Sequence, residues 1–370
     1  MKIIQTNNYL PPDALFQGAV STEAIGLVSP PRHLLLQWHI TDRCDHRCKH
    51  CYQHDFTLPG PDWQRMRSIL AQYLTMLRWI RRHHGGREQV GHIHVTGGEP
   101  LVHGDFWSLV ELLPNYKDLF SFAVLTNGRS VEQQQAERLK KLGASFVQVS
   151  LEGRRESHDD IRGEGDYDQV VQSIRTIVRA GLSCSVSFTA HRRNWKDFPH
   201  VARVARKAGA TRIWADRLIP FGTGESMADD VLSPDETQQF IKVMVRAGLE
   251  TKLLSFGKSH VAMNRALQFL ESGGRPYRCP AGDSLVALMP DGELLPCRRM
   301  PVAVGNLNRQ KLVDIYKNAP LLHALRNPEQ SGEGCEECFY KGSCSGGLRC
   351  LSMGVYGSPF KKDPGCWRHP

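Results

Sequence analysis

Leu34-Leu35-Leu36-Gln37-Trp38-His39-Ile40-Thr41-Asp42-Arg43-Cys44-Asp45-His46-Arg47-Cys48-Lys49-His50-Cys51-Tyr52 is a stretch in which a strand pattern runs into a metal-ligand pattern. Residues 34–40 have the length and apolar content of a buried strand. Directly behind them stand Cys44, Cys48 and Cys51, spaced C-x3-C-x2-C on one loop. Three cysteines so placed can wrap three corners of a [4Fe–4S] cube and leave the fourth iron without a protein ligand. Electron-transfer clusters generally use four cysteines, so an open iron is wanted where something must bind to it. Zinc is the rival, since structural zinc takes four ligands in paired spacing and His46 or His50 could supply the fourth. A structural cysteine loop is the third reading.

Short apolar runs continue to alternate with helical patterns. Trp63, Met66, Leu70, Tyr73, Leu74 and Leu77 fall at helical spacing. Strand-like runs recur at 90–95, 120–125, 145–151, 183–189 and 211–215, with helices expected near 104–113, 131–142, 167–180 and 197–208. Gly143 and Gly181 stand where a helix should stop before the next strand. Six strands alternating with helices predict an α/β fold, a parallel sheet of right-handed crossover units. Its active site belongs at the C-terminal ends of the strands, where the triplet sits. Alternation alone does not separate an open sheet from a barrel. The expected organisation is an extended lead-in over 1–33, a core over 34–230, a bridging helical segment over 231–270 with a helix at 235–248, and a loop-rich cysteine domain over 271–370. No internal repeat is visible.

With 370 residues, 41% hydrophobic and 23% charged, the composition is that of a soluble globular protein. No apolar run approaches the roughly 18 residues of a membrane span, and the N-terminus, MKIIQTNNYLPPD, lacks an apolar export core. A cytoplasmic location follows as the expectation. The eleven cysteines are odd in number, with three between 44 and 51 and seven after 278. Such clustering in a cytoplasmic chain favours metal or redox chemistry over disulfides. The formal charge of +9 comes mainly from scattered arginine pairs such as Arg81-Arg82 and Arg298-Arg299, with no nucleic-acid motif beside them. Filled clusters would remove much of that charge, because a 2+ core with four thiolates carries about −2. Neither a nucleic acid nor a membrane is expected as partner.

C-x3-C-x-aromatic-C after a first strand resembles the signature of the radical S-adenosylmethionine (SAM) superfamily, with His50 at the aromatic position. The resemblance implies a partial (β/α)6 barrel and assigns catalysis to Cys44, Cys48 and Cys51. They would hold a [4Fe–4S] cluster whose open iron chelates the amino and carboxylate groups of SAM. In that family an electron from the cluster breaks a C–S bond, and the released 5′-deoxyadenosyl radical abstracts hydrogen from substrate; the cofactor carries the hard step. Thr96-Gly97-Gly98-Glu99-Pro100 resembles the segment that holds the SAM amino group, its glycines permitting close backbone approach. Leu125-Thr126-Asn127-Gly128 and Ser150-Leu151-Glu152-Gly153 resemble segments lining the SAM pocket, with Glu152 a longer variant of the usual aspartate. Arg162, in His158-Asp159-x-x-Arg162-Gly163, is the implied partner of the SAM carboxylate. Leu218, in Arg217-Leu218-Ile219-Pro220-x-Gly222, belongs to the segment implied to meet the adenine. An ordinary turn is the alternative for each.

The tail reads Cys279-x12-Gly292-x4-Cys297, then Cys335-x2-Cys338-x5-Cys344-x5-Cys350, then Cys366. This resembles the SPASM extension, which carries two auxiliary [4Fe–4S] clusters; the gap before Cys350 is five where three is usual. Carried over, Cys279, Cys297 and Cys350 would hold the first cluster, and Cys335, Cys338, Cys344 and Cys366 the second. The first then lacks one thiolate, for which Asp283, water or a substrate thiol could stand. Zinc ribbons are the structural alternative, and Cys184 reads as a buried small hydrophobe.

Enzymes with this tail mostly act on peptides or proteins, which makes a ribosomal-peptide maturase forming a thioether or C–C link the expected function. A sulfatase maturase is disfavoured: Arg298 follows Cys297 where that group has an aspartate base, and arginine cannot act as a base at neutral pH. Only 33 residues precede the first strand, so a leader peptide is expected to be read by a separate protein or by the core surface. A flavodoxin- or ferredoxin-type donor would supply electrons. The competing readings are a radical enzyme acting on a tetrapyrrole and a zinc-stabilised binding protein without catalysis.

Overall fold

The computed structural model describes residues 29–86, 88–129, 131–327, 329–330 and 332–368; the expected lead-in lies outside the described residues up to residue 28. The elements begin with β1 (Leu34–His39), α1 (Trp63–His84), β2 (Gly91–Thr96), α2 (Phe106–Leu112), β3 (Phe120–Leu125) and α3 (Gln133–Lys141). They continue with β4 (Val147–Ser150), α4 (Arg155–Arg162), α5 (Asp166–Arg179), β5 (Cys184–Ala190), α6 (Phe198–Lys207), β6 (Arg212–Arg217), α7 (Pro234–Leu254) and β7 (His260–Val261). The rest are α8 (Phe269–Ser272), β8 (Leu285–Leu288), β9 (Glu293–Leu295), β10 (Gly305–Asn306), α9 (Leu312–Asn318), α10 (Pro320–Arg326), α11 (Lys341–Cys344) and α12 (Arg349–Tyr356).

Contacts divide the chain into two compact units, each discontinuous in sequence. One takes the described residues up to Arg43, His54–Ser121 and Pro280–Gln330; the other takes Cys44–Gln53, Phe122–Cys279 and the described residues after Ser331. In the first unit β1 is central. It runs parallel to β2, with Leu34 opposite Gly91 and His39 opposite Thr96, and parallel to β8, with Leu35 opposite Leu285. β9 joins β8 antiparallel, and β10 joins β9 likewise. Leu34, Leu36, Trp38 and Ile40 are buried on one side of β1, as the period of two in a strand requires. α1 starts at Asp62, whose side chain accepts the Arg65 amide, and ends at Gly85 in the left-handed region. Its buried Met66, Ile69, Leu70, Tyr73, Leu74, Leu77 and Ile80 form the apolar stripe. Tyr73 caps the arrangement by donating to the Leu34 carbonyl at 2.8 Å.

The second unit orders its strands β3-β4-β5-β6-β7, each parallel to the next, with β3 starting at the end of the first unit. Gly143 (φ 80°) and Gly181 (φ 75°) end helical stretches as expected. One strand face carries polar groups: Gln148 accepts the Trp214 indole N–H at 3.0 Å, and Ser150 lies 3.3 Å from Ser187. Cys184 is fully buried on β5, and burial pushes its thiol up to about 12. α7 runs past the expected 248 to Leu254. Among the described residues no helix is long and apolar enough to cross a membrane.

Candidate active site

The cysteine triplet has no regular structure of its own, so its geometry is imposed by neighbours in the second unit. Lys49 N–H donates to the Ile161 carbonyl at the end of α4 (3.0 Å), and Cys51 N–H donates to the Cys48 carbonyl (3.1 Å). From the 3₁₀ segment Gly222–Asp230, the Thr223 hydroxyl reaches the carbonyls of Cys48 at 3.0 Å and Cys51 at 3.2 Å. Gly224 N–H donates to Cys51 and Thr223 N–H to Gln53. Gly222 sits at φ +65°, where a Cβ would come within 2.3 Å of the Tyr52 carbonyl carbon. Only glycine allows that approach.

The donor set argues against a single ion at the triplet. One tetrahedral zinc holds its sulfurs about 4 Å apart. Among the described residues the group whose ligand atoms lie within 4.8 Å of one another is Cys44, Asp45 and His46, not the three cysteines. His46 is already engaged: its Nε2 lies 2.9 Å from Asp166 Oδ1 and its Nδ1 2.8 Å from Asn127 Nδ2. Wider thiol spacing suits a cube, in which each cysteine binds its own iron.

Beneath the loop lies a buried charge network. Glu152 Oε1 accepts from Arg162 Nη2 (2.6 Å) and Nε (3.2 Å) and lies 3.1 Å from His50 Nε2. Its Oε2 accepts the Thr189 amide at 2.7 Å. Burial works to raise the Glu152 pKa, but Arg162 and His50 outweigh it and hold the carboxyl well below the usual range. Arg162 Nη1 donates to Cys48 Sγ at 3.7 Å; burial pushes the Cys48 thiol up, and this cation opposes it. The Glu152 amide donates to His158 Nδ1 (3.0 Å), which leaves His158 Nε2–H to donate to Asp166 Oδ2 (2.9 Å). Asp166 thus bridges His158 and His46. Burial lowers His46, yet Asp166 and Asp45 prevail and push it up to about 9.

The remaining expected residues fall as follows. Thr126 and Asn127 directly follow β3, and Asn127 Nδ2 also donates to Asp45 at 2.6 Å. Ser150 ends β4, and Leu218 is buried with Ile161 and Met227. In the first unit a Cβ on Gly97 would lie 2.4 Å from the Thr41 carbonyl oxygen, and one on Gly98 2.4 Å from that of Arg43. Gly98 N–H donates to Thr41 and Glu99 N–H to Arg43, so this glycine pair lets the loop pack on the backbone of 41–43. Glu99 accepts the Leu101 amide, and Pro100 opens the 3₁₀ turn that follows.

The spacing did not reveal Thr223, Asp166 or His191. His191 follows β5, is buried, and has no hydrogen-bond partner at either ring nitrogen among the described residues; His50 Nδ1 is in the same condition. Burial, then the charge of His50, lowers His191 to about 4. The two ring nitrogens of His191 and the Nδ1 of His50 are thus left to a polar ligand. A helix-stop-like Gly-Thr-Gly at 222–224 was the one available signal for Thr223.

In the tail, Cys335, Cys338, Cys344 and Cys366 line one partly open pocket together with Phe269, Tyr340 and other residues. Burial, then neighbouring Cys366 and Cys338, pushes Cys335 up to about 11; burial, with Asp363 and Cys366, pushes Cys344 up to about 12. Four cysteines round one pocket, whose thiolates would repel one another if left without metal, could supply the donors of a four-cysteine cluster. Among the described residues no three of them approach within the 4.8 Å that a single ion would need. Cys350 is buried on α12, and Cys279 is partly exposed with Arg349 near it. Cys297, in the first unit, is buried two residues past β9. The Asp283 carbonyl accepts the Tyr316 hydroxyl at 2.9 Å.

A family model described as the radical SAM superfamily matches residues 38–205, and one described as the SPASM iron–sulfur cluster-binding domain matches 279–339. The chain belongs to the radical SAM superfamily and is an enzyme of its SPASM-bearing kind. It is 30% identical to the mycofactocin maturase MftC of Mycobacterium tuberculosis over 92% of this chain and 84% of that protein. It is 23% identical to an AdoMet-dependent heme synthase of Methanosarcina barkeri, over 94% and 99% of the two chains. Streptococcus suis SuiB bound to its precursor peptide SuiA shares the fold with a TM-score of 0.70 at 15% identity, covering 92% of this chain and 77% of that one. The expected α/β radical SAM fold and its membership are therefore established, and the two domains imply iron–sulfur clusters and SAM binding.

Proposed function

We propose that the chain is a peptide maturase: it cleaves SAM reductively and oxidatively modifies a peptide, forming a crosslink of the thioether or C–C kind. The observation that carries the chemistry is the clamped loop of Cys44, Cys48 and Cys51, spaced for a cube and held from α4 and from Thr223–Gly224. A reduced cluster held by Cys44, Cys48 and Cys51 would supply the single electron for reductive cleavage of bound SAM, and through it the means of taking a hydrogen atom from substrate. The protein's own part is positioning. Arg162 sets its charge against Cys48, and Glu152 keeps Arg162 and His50 in place. Gly97, Gly98, Glu99 and Pro100, with Thr126, Asn127, Ser150, Leu218 and the unsatisfied His50 and His191, are the residues we assign to SAM. Two auxiliary clusters would use Cys335, Cys338, Cys344 and Cys366, and Cys279, Cys297 and Cys350. The corresponding parts are a radical-generating core at 34–230, a bridge at 231–270 and a cluster domain at 271–370. A cytoplasmic setting with a flavodoxin- or ferredoxin-type electron donor completes the reading.

Similarity to a maturase supports the peptide substrate. The second reading, a tetrapyrrole substrate, is favoured by the full-length coverage of a heme synthase. Co-expression with any short precursor peptide encoded beside the gene, followed by mass spectrometry, should show a mass loss in the peptide that disappears when Cys44, Cys48 and Cys51 are replaced by Ala. An unmodified peptide alongside turnover of a porphyrin would reverse the choice. Zinc in place of iron and sulfide, with no 5′-deoxyadenosine from SAM and dithionite, would refute the enzyme chemistry altogether.

A further inference from the structure

Asp363 lies three residues before Cys366 and was not singled out by any motif. It is buried. Its Oδ1 and Oδ2 each accept one Arg217 nitrogen at 2.6 Å, a fork-on-fork pair at the end of β6. The same two oxygens accept backbone amides: Gly365 at 2.9 Å on Oδ1 and Leu348 at 2.8 Å on Oδ2. The Asp363 carbonyl accepts the Cys366 amide at 2.9 Å. Leu348 is the N-cap of α12, which carries Cys350, and Gly347 N–H donates to the Cys344 carbonyl. The packing leaves no slack. A Cβ on Gly347 would meet Asp363 at 2.6 Å, and one on Gly365 would meet Arg217 Nη1 at 2.3 Å.

Arg217 also begins the segment whose far end grips the triplet. Between the two, Gly354 of α12 packs on Pro220 and Ile219, with a Cβ there meeting them at 3.0 and 3.4 Å. Five residues beyond Arg217, Gly222 to Gly224 close on Cys48, Cys51 and Tyr52. One strap is therefore tied at one end to three tail cysteine loops and at the other to the radical-cluster loop.

We propose that Arg217 and Asp363 are positioning residues: their ion pair is the joint that fixes the auxiliary-cluster cysteine loops to the strap holding the SAM-cleaving loop. A buried pair rarely adds net stability, but removing one partner leaves an uncompensated charge, so the joint is sensitive to single substitution. The inference rests on the proposed cluster-binding role of the tail cysteines.

The test uses the full chain with Cys44, Cys48 and Cys51 all replaced by Ala, reconstituted anaerobically with iron and sulfide, so that bound iron reports on the tail. A parent that binds no iron refutes the cluster reading, and the joint falls with it. Given iron in the parent, Asp363→Asn is expected to lose about half of it or more and to move the g-values and midpoint potential of what stays, with Asp363→Glu recovering part. Unchanged iron, line shape and potential would overturn the inference. Arg217→Lys, followed by far-UV circular dichroism, covers a collapse of the Asn variant: it keeps the charge but not the fork, and should shift the spectrum at unchanged helicity. A Lys variant identical to the parent overturns the pairing. With the triplet intact, Asp363→Asn should also alter the SAM-induced change in the radical-cluster spectrum; an unaltered change removes the link through the strap.

Discussion

Replacing Glu152 by Gln keeps the shape of the network and removes its charge. Four contacts meet at that carboxylate: two from Arg162, one from His50 and one from the Thr189 amide. Gln can still accept at Oε1, yet Arg162 is left as a buried cation without its counter-charge. Breaking a buried pair from one side costs about 3–5 kcal/mol. At 1.4 kcal/mol per tenfold, the local opening equilibrium rises by about a hundredfold or more. The Thr189 amide, which donates to Oε2 at 2.7 Å, is a direct reporter. Hydrogen exchange read by mass spectrometry should show loss of protection over 184–190 and over the triplet loop, and iron should leave the triplet faster under chelator. Helix α1, which belongs to the first unit, should exchange as before, since local openings are largely independent. Protection at Thr189 within about threefold of the parent, roughly 0.6 kcal/mol, would refute the claim that Glu152 holds Arg162.

Gly222→Ala should uncouple the triplet loop: the left-handed backbone alone costs about 1–3 kcal/mol for a side chain, and the methyl would meet Tyr52 backbone. Iron bound by a chain retaining only the triplet cysteines is the measure, with loss expected. Glu293 has a buried Oε2 without a hydrogen bond among the described residues, and burial, then Asp291, pushes it up to about 7. A raised carboxyl contributes stability below its unfolded value, about 4.3, and that contribution is lost as pH rises through about 7. Chemical unfolding should show stability falling over this window by up to roughly 2 kcal/mol after solvent screening, with Glu293→Gln flattening the slope. Cys335→Ala should lower iron per chain yet leave measurable 5′-deoxyadenosine release; complete loss of release would contradict a separate auxiliary role. His191→Leu should raise the KM for SAM several-fold, with kcat changed less; an unchanged KM would take His191 out of the residues assigned to SAM.

The strands from β1 to β6 were legible because each is a short apolar run between helices with glycine stops, and packing agrees with local preference there. α4 was not: Arg155–Arg162 is polar, and only His158 and Ile161 are buried, so no apolar period marks it. β8 to β10 are four, three and two residues long, too short for any period to declare itself within a tail rich in Gly and Cys. At the site, the candidate ligand cysteines stand out by their spacing, which is local. Partner choice does not. Arg162 read as a SAM-carboxylate ligand; that its Nε and Nη2 also meet Glu152 ten residues earlier and its Nη1 meets Cys48 was announced by no motif. Only the three-dimensional turn between β4 and α4 decides that. Asp363 was invisible for the same reason, since its partner Arg217 is far off in sequence.

The pairing of β1 with β8 also sets an order of events in synthesis. Leu35 waits for Leu285, and at about 5–20 residues per second the ribosome needs about 12–50 s to deliver it. Until then one edge of β1 is an unpaired strand, a hazard for misassembly. The first unit cannot close before residues 280–330 emerge, although the triplet cysteines were made long before. The second unit, which holds the triplet, likewise takes in residues after Ser331, so cofactor insertion is expected to follow release of the chain rather than accompany its growth. A stalled nascent chain ending before residue 280 should leave residues 34–39 open to protease; protection there would show that β1 finds cover without β8.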